Sequence, residues 1–116
     1  MSNSEKVSII TATFNNSNTI EDTLSSVLSQ SYGNIEFIIV DGCSTDGTLE
    51  LIKKREGDFK SKLTSYKLLS EKDKGIADAW NKGLKLATGD VIFFLNADDW
   101  ISEKTVEKAV LSLNTN

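Results

Sequence analysis

Short apolar runs alternate with stretches of helical periodicity from end to end of this chain, and that alternation limits the fold more than any other property of the sequence. Val7, Ile9 and Ile10 lead into Thr11-Ala12-Thr13-Phe14, a strand. Asn15 to Asn18 supply turn and cap chemistry, after which Ile20, Leu24, Val27 and Leu28 mark one helical face. Ile35 to Val40 is nearly all apolar, as expected of a strand covered on both faces, and it ends in the polar turn Asp41 to Gly47. A helix follows with Leu49, Ile52 and Phe59 inward, then a short edge strand within Lys60 to Ser70. Ile76, Ala79, Trp80, Gly83, Leu84 and Ala87 give the strongest helical period. Val91 to Leu95 reads as a buried strand, and Val106, Ala109, Val110 and Leu113 mark a final helix starting near Ser102.

The order βαβαβαβα predicts an α/β fold: a Rossmann-like, mainly parallel sheet flanked by helices on both faces. Such sheets bind ligands beyond the carboxyl ends of their strands, where the strand order reverses. Thr11 to Asn15, Asp41, and Asn96 to Asp99 occupy those ends, so three polar clusters converge on one rim.

At 116 residues the chain has room for one domain. A formal charge of −4 argues against nucleic acid as a partner, since a basic footprint is expected there. The sequence contains no His, which excludes His-based zinc sites, Ser-His triads and Cys-His pairs. Chemistry must run on carboxylates, amides, hydroxyls and lysines. The lone Cys43 cannot form an internal disulfide and fits a reducing cytoplasm. No apolar run approaches the ~18–20 residues of a membrane span, and the polar start, Met1 to Lys6, does not read as a secretory signal.

Asp98 and Asp99 come just after the five apolar residues Val91 to Leu95, separated from them by Asn96-Ala97, where an ionised carboxylate is costly without a partner. One could cap the last helix, for which Ser102 is also a good N-cap. The alternative is that a carboxylate here binds a hard divalent cation, Mg²⁺ or Mn²⁺, with Asn96 adding a neutral oxygen on the same side. Asp41 reads equally as a turn carboxylate bonded to its own backbone or as an acceptor facing a ligand. Lys72-Asp73-Lys74-Gly75 precedes the best helix, and a lysine at a helix N-terminus can meet a phosphate. Trp80 lies on the apolar stripe and reads as core. Lys53-Lys54-Arg55, Lys60 and Lys62 read as solvated charges. Gly42 and Gly47 have P-loop spacing, but Thr48-Leu49 stand where Lys and Ser/Thr are required, and no GxGxxG follows the first strand.

Taken together, these segments resemble the family 2 glycosyltransferases, inverting enzymes of the GT-A fold that act in bacterial polysaccharide and O-antigen synthesis. Val7 to Asn15 is similar to the family's opening strand, with Ala12 where Pro is frequent. Ile38 to Thr48 resembles the second motif, Asp73 to Gly83 the third, and Gly89 to Asp99 the strand ending in the DxD metal motif, with Asn96 at its first position. The resemblance implies a nucleoside diphosphate sugar donor and a hydroxyl acceptor on a glycan or lipid-linked sugar. It places Ala12, Phe14, Asn15 and Asp41 at the nucleobase, Asp73 and Lys74 near the ribose and phosphates, Asn96 also among the nucleotide-binding residues, and Asp98 on the cation. The family's acceptor half and catalytic base lie beyond the DxD motif. Residues 1–116 are therefore expected to be the nucleotide-sugar-binding half of a longer enzyme, and no residue here is assigned as the base.

That reading implies a cytoplasmic protein, peripheral at the inner membrane if its acceptor is lipid-linked. A truncated sheet would expose apolar surface that pairing into a homo-oligomer could cover. Two other classes compete: a non-catalytic nucleotide-sugar-binding domain, and a phosphoaccepting receiver domain. The latter needs an acidic pair after the first strand, where Thr13-Phe14-Asn15 stand.

Overall fold

The computed structural model describes residues 5–113; most of the polar stretch Met1 to Lys6 lies outside that range. The elements run β1 (Val7–Thr13), α1 (Ile20–Leu28), β2 (Ile35–Asp41), α2 (Thr48–Lys54), α3 (Glu56–Lys62), β3 (Ser65–Ser70), α4 (Ile76–Leu86), β4 (Val91–Phe94) and α5 (Thr105–Leu113). The strands form one sheet in the order β3-β2-β1-β4, and every pairing is parallel. β1 is central: it pairs with β2 from Val7↔Ile35 to Thr13↔Asp41, and with β4 from Val7↔Val91 to Ile10↔Phe94.

Helices cover both faces, unequally. On one face Ile9, Ile35, Phe37 and Ile39 pack against Ile20, Leu24 and Val27 of α1, Ile52 of α2, Phe59 of α3, and Val106 and Val110 of α5. Phe59 sits edge-on to Phe37 with ring centres 5.2 Å apart, so one aromatic fixes α3 to the sheet. Burial of each such side chain stabilises by about 1.5–3 kcal/mol. On the other face Ile10, Ile38 and Val40 lie under α4 alone, chiefly under Ala79. α4 approaches closely because Gly83 has no side chain. A Cβ there would stand 2.4 Å from Cγ2 of Ile10.

Four details differ from the sequence reading. The segment after β2 is two helices, not one. Arg55 ends α2, and its guanidinium reaches Glu21 at 3.8 Å and Asp58 at 3.5 Å, while Leu51 as well as Ile52 packs inward and Leu49 is only half-buried. Lys62 is not merely solvated; its ammonium donates to the Leu28 carbonyl at the end of α1 (2.8 Å). β4 is an edge strand rather than a buried one. Ile92 and Phe94 are exposed because α4 is the one helix on that face and leans towards β1 and β2, and Trp80 accordingly stays half-buried against Phe94. The last helix starts at Thr105, and its Val106 N–H is taken by the Gln30 side chain from beyond α1 (3.0 Å).

Glu36, the second residue of the otherwise largely apolar β2, is almost wholly buried. Its carboxylate accepts from the Ser8 hydroxyl on β1 (2.7 Å), the Thr88 N–H (2.8 Å) and the Thr88 hydroxyl (3.0 Å), and pairs with the Lys67 ammonium on β3 (3.0 Å). One carboxylate thus ties three strands and the turn into β4. Desolvation works to raise its pKa, but the Thr88 N–H, the Ser8 hydroxyl, Lys67 and the Thr88 hydroxyl together outweigh it and hold the group down at about 2. The resulting stability is complete above the ordinary value of 4.5 and is lost as pH falls through 2. Glu36→Gln should therefore cost about 1–3 kcal/mol at neutral pH. Urea titrations should show the gap from wild type narrowing as pH falls from about 4.5 towards 2. Gly83→Val should cost at least about 1–3 kcal/mol in the same assay, by overpacking against Ile10.

Candidate functional site

Beyond the carboxyl ends of β1, β2 and β4 lies a cleft of about 370 Å³, within the range of small-molecule sites. The sheet's stagger makes it. β1 runs on to Thr13, whereas its pairing with β4 stops at Ile10↔Phe94. Ala12 and Thr13 therefore project past β4, and Asn96 to Asp98 run beside them to form the opposite wall. The start of α4 closes the third side with Asp73, Gly75 and Ile76.

Of the residues singled out from sequence, Ala12, Phe14, Asp73, Asn96 and Asp98 line this cleft. Phe14 presents an exposed ring. Asp73 lies against Gly42, where an added Cβ would come within 2.8 Å of its Oδ2. Asp98 is exposed, and its carboxylate makes no hydrogen bond or ion pair with any described residue. The loop carrying it is held from α1: the Thr19 and Thr23 hydroxyls donate to the Ala97 carbonyl (3.0 and 3.1 Å), and Thr23 also reaches the Asp99 carbonyl.

Asn15, Asp41 and Lys74 are not on the cleft wall. Asn15 adopts the left-handed conformation (φ 52°), which Asn tolerates, and its side-chain oxygen accepts from the Thr45 N–H (2.9 Å). Asp41 is fully buried. Its Oδ2 accepts from the Cys43 N–H (3.1 Å), the Ser44 N–H (3.0 Å) and the Ser70 hydroxyl (2.9 Å), and its Oδ1 from the Ser44 hydroxyl (2.5 Å). Lys74 is exposed, and its N–H goes to Asp78 Oδ2 (2.9 Å), while Asp73 Oδ1 takes the Gly75 N–H (3.0 Å). The chain's own carboxylates therefore occupy the two amides just before α4, and no side-chain cap bond is made at its N-cap, Gly75. Sequence reasoning passed over Thr13, Asn16 and Gly75. Asn16 had a readable signal as an amide in a turn before a helix, and its oxygen accepts from the Thr13 hydroxyl (2.8 Å) and the Phe14 N–H (2.9 Å).

The electrostatics of the cleft are one-sided. Asp73 and Asp98 contribute two carboxylates, and no Lys or Arg stands among the lining residues. An anionic ligand would meet repulsion here unless a cation accompanied it. The donor set suits a hard ion in part. Asp98 is an unpaired carboxylate with Asn96 beside it, and Mg²⁺ or Mn²⁺ is commonly held by one or two protein oxygens plus substrate phosphates. No cluster of three acidic or other metal-ligating side chains occurs among the described residues, so the protein alone does not complete a coordination shell.

The family described as Glycosyl transferase family 2 matches residues 8–116. The UDP-Glc:alpha-D-GlcNAc-diphosphoundecaprenol beta-1,3-glucosyltransferase WfaP of Escherichia coli is 45% identical over 104 residues, covering 86% of this chain and 38% of that protein. The chain spans similar shares, 39% and 40%, of two Bacillus subtilis relatives. Residues 1–349 of Staphylococcus aureus TarS in complex with UDP-GlcNAc superpose with a TM-score of 0.84 at 29% identity, over 94% of this chain and 31% of that one. The mannosyltransferase PcManGT of Pyrobaculum calidifontis, in complex with GDP-Man and Mn²⁺, gives 0.85 at 30% identity, over 95% of this chain and 32% of that one. The fold is thus GT-A. The family match and the absence of an acidic pair after β1 remove the receiver-domain alternative.

Gly42→Ala should push the Asp73 carboxylate aside until the contact relaxes from 2.8 Å to an ordinary 3.4 Å or more, with little loss of stability. A crystal structure of the variant and its melting temperature check both parts.

Proposed function

The chain belongs to glycosyl transferase family 2, and from that premise we propose that the cleft is the donor site of a transferase using a nucleoside diphosphate sugar. The observation that carries the reading is the acidic cleft itself. Its two carboxylates and missing basic side chains suit a diphosphate that arrives with a divalent cation. Relatives in the family include a UDP-Glc-dependent transferase, and solved neighbours hold UDP-GlcNAc or GDP-Man with Mn²⁺. Those ligands support a nucleoside diphosphate sugar as the class of donor, without choosing its base.

In this reading the base enters beside Ala12 and the exposed Phe14 ring, with Asn15 and Asp41 backing that wall. A base N–H reaching Asp41 would compete with the Ser44 hydroxyl for Oδ1. Asp73 would accept from ribose hydroxyls, and Lys74, exposed at the mouth, would lie near the phosphates. Asp98, with Asn96, would hold Mg²⁺ or Mn²⁺. When bound, such an ion offsets the negative charge that grows on the diphosphate leaving group. Displacement of the diphosphate by an acceptor hydroxyl from the opposite face would invert the anomeric carbon, the hydroxyl proton passing to a base that is assigned to no residue of this chain. The acceptor would be a glycan or lipid-linked sugar in bacterial surface-polysaccharide synthesis, and the protein would then work in the cytoplasm, peripheral at the inner membrane if that acceptor is lipid-linked.

Calorimetric titration with UDP and with GDP, each with and without Mn²⁺, tests this. One nucleotide should bind, and Mn²⁺ should tighten it at least tenfold. Asp98→Ala should abolish the Mn²⁺ enhancement while leaving the melting temperature unchanged. Equal Mn²⁺ dependence in that variant would overturn the metal assignment, and no binding of either nucleotide would overturn the donor site.

A further inference from the structure

Four successive backbone amides after β1 are held by side chains, two of them from the loop after β2 and one from the first residue of α2. The Phe14 N–H goes to Asn16 Oδ1 (2.9 Å). The Asn15 N–H goes to Ser44 Oγ (2.9 Å), the Asn16 N–H to Thr48 Oγ1 (2.9 Å), and the Ser17 N–H to Asp46 Oδ2 (3.1 Å). Two of these acceptors are hydroxyls, which can point either way until something takes their proton. Ser44 gives its proton to Asp41 Oδ1 (2.5 Å) and Thr48 gives its proton to Asp46 Oδ1 (2.5 Å). Each carboxylate thereby commits its hydroxyl to accept. The pattern is carboxylate, hydroxyl, amide, repeated twice in register.

Asp46 is the more telling member. It is exposed and does not line the cleft, yet it takes the Ser17 N–H directly and the Asn16 N–H through the fully buried Thr48. Phe14 and Asn16, which do line the cleft, hang on the segment it secures. The Thr48 hydroxyl, more than any other contact, holds the Asp46 carboxyl well below the ordinary carboxylate range, so it is an anion at neutral pH.

We propose that Asp46 is a positioning residue for the donor site: acting through Thr48 and Ser17, it fixes residues 14–17 so that Phe14 and Asn16 meet the nucleotide preformed. The functional half of this rests on the donor-site reading above. Preordering a binding loop raises affinity by removing the cost of ordering it on contact.

The test uses the 116-residue chain and the variants Asp46→Asn, Thr48→Val and Thr48→Ser. Amide hydrogen exchange reads the loop, calorimetry with UDP and GDP in Mn²⁺ reads the site, and thermal melting reads the fold. Asp46→Asn and Thr48→Val should lose protection at Asn16 and Ser17, keep it at Ile9, Ile38 and Val40, and bind nucleotide about tenfold or more weakly. Thr48→Ser retains a hydroxyl and should restore both protection and affinity. The proposal is overturned if Asp46→Asn keeps its loop protection and binds within twofold of wild type. It is equally overturned if protection falls in β1 and β2 as much as in the loop, since Asp46 is then only a stability residue. If the wild-type chain binds neither nucleotide, the donor-site reading fails, and the exchange pattern alone decides whether Asp46 orders the loop.

Discussion

Everything in this molecule hangs on β1 lying between β2 and β4 with all three running the same way. Parallel pairing forces each chain exit to the same edge of the sheet, so polar residues more than 80 positions apart in sequence meet without any further device. The register then divides the labour. β2 ends level with β1, at Thr13↔Asp41, and the Gly42 N–H extends the ladder to the Thr13 carbonyl (2.9 Å). β4 ends three residues short of β1. The level pair supports two loops that bond to each other, and the uneven pair leaves a recess. A rigid clasp and an open cleft thus come from one strand with two different neighbours.

The two ends of the sheet handle charge differently. At the amino end, Glu36 is surrounded by donors on β1, β3 and the turn into β4, so its charge is spent on holding the sheet together. At the carboxyl end, Asp41 and Asp46 are satisfied by nearby donors, whereas Asp98 has no partner among the described residues. An unpaired carboxylate beside satisfied ones is the pattern expected where a protein keeps binding capacity in reserve. Just before α4, the Lys74 and Gly75 amides are likewise taken by Asp78 and Asp73.

The sequence carried the strands, their parallel order, and a rim of Thr11 to Asn15, Asp41 and Asn96 to Asp99, because each depends on local periodicity and on where an apolar run stops, whereas Asp73 joined the site through the family resemblance. It did not carry what depends on partners far along the chain. Glu36 sits inside an apolar run, and its donors are 28 to 52 residues away, so nothing nearby marks it as buried and paired. Val91 to Leu95 reads as core by composition, but burial requires a neighbour on each face, and the α4 face leaves Ile92 and Phe94 exposed. Asp41 was balanced between turn and ligand, and its full burial with four internal donors is a matter of loop geometry that composition does not encode.

Gly83 touches nothing in the cleft, yet it governs the cleft's width. α4 supplies Ile76 and Ala79 to the wall, and the helix can rest that low only because its later turn presents bare backbone to Ile10. The helix behaves as a lever with its fulcrum at Gly83 and its load at the mouth. Any side chain at the fulcrum, or extra bulk at Ile10, would tilt the wall outward. The aperture is therefore calibrated two turns away from the ligand, by the size of a residue that no ligand would ever meet.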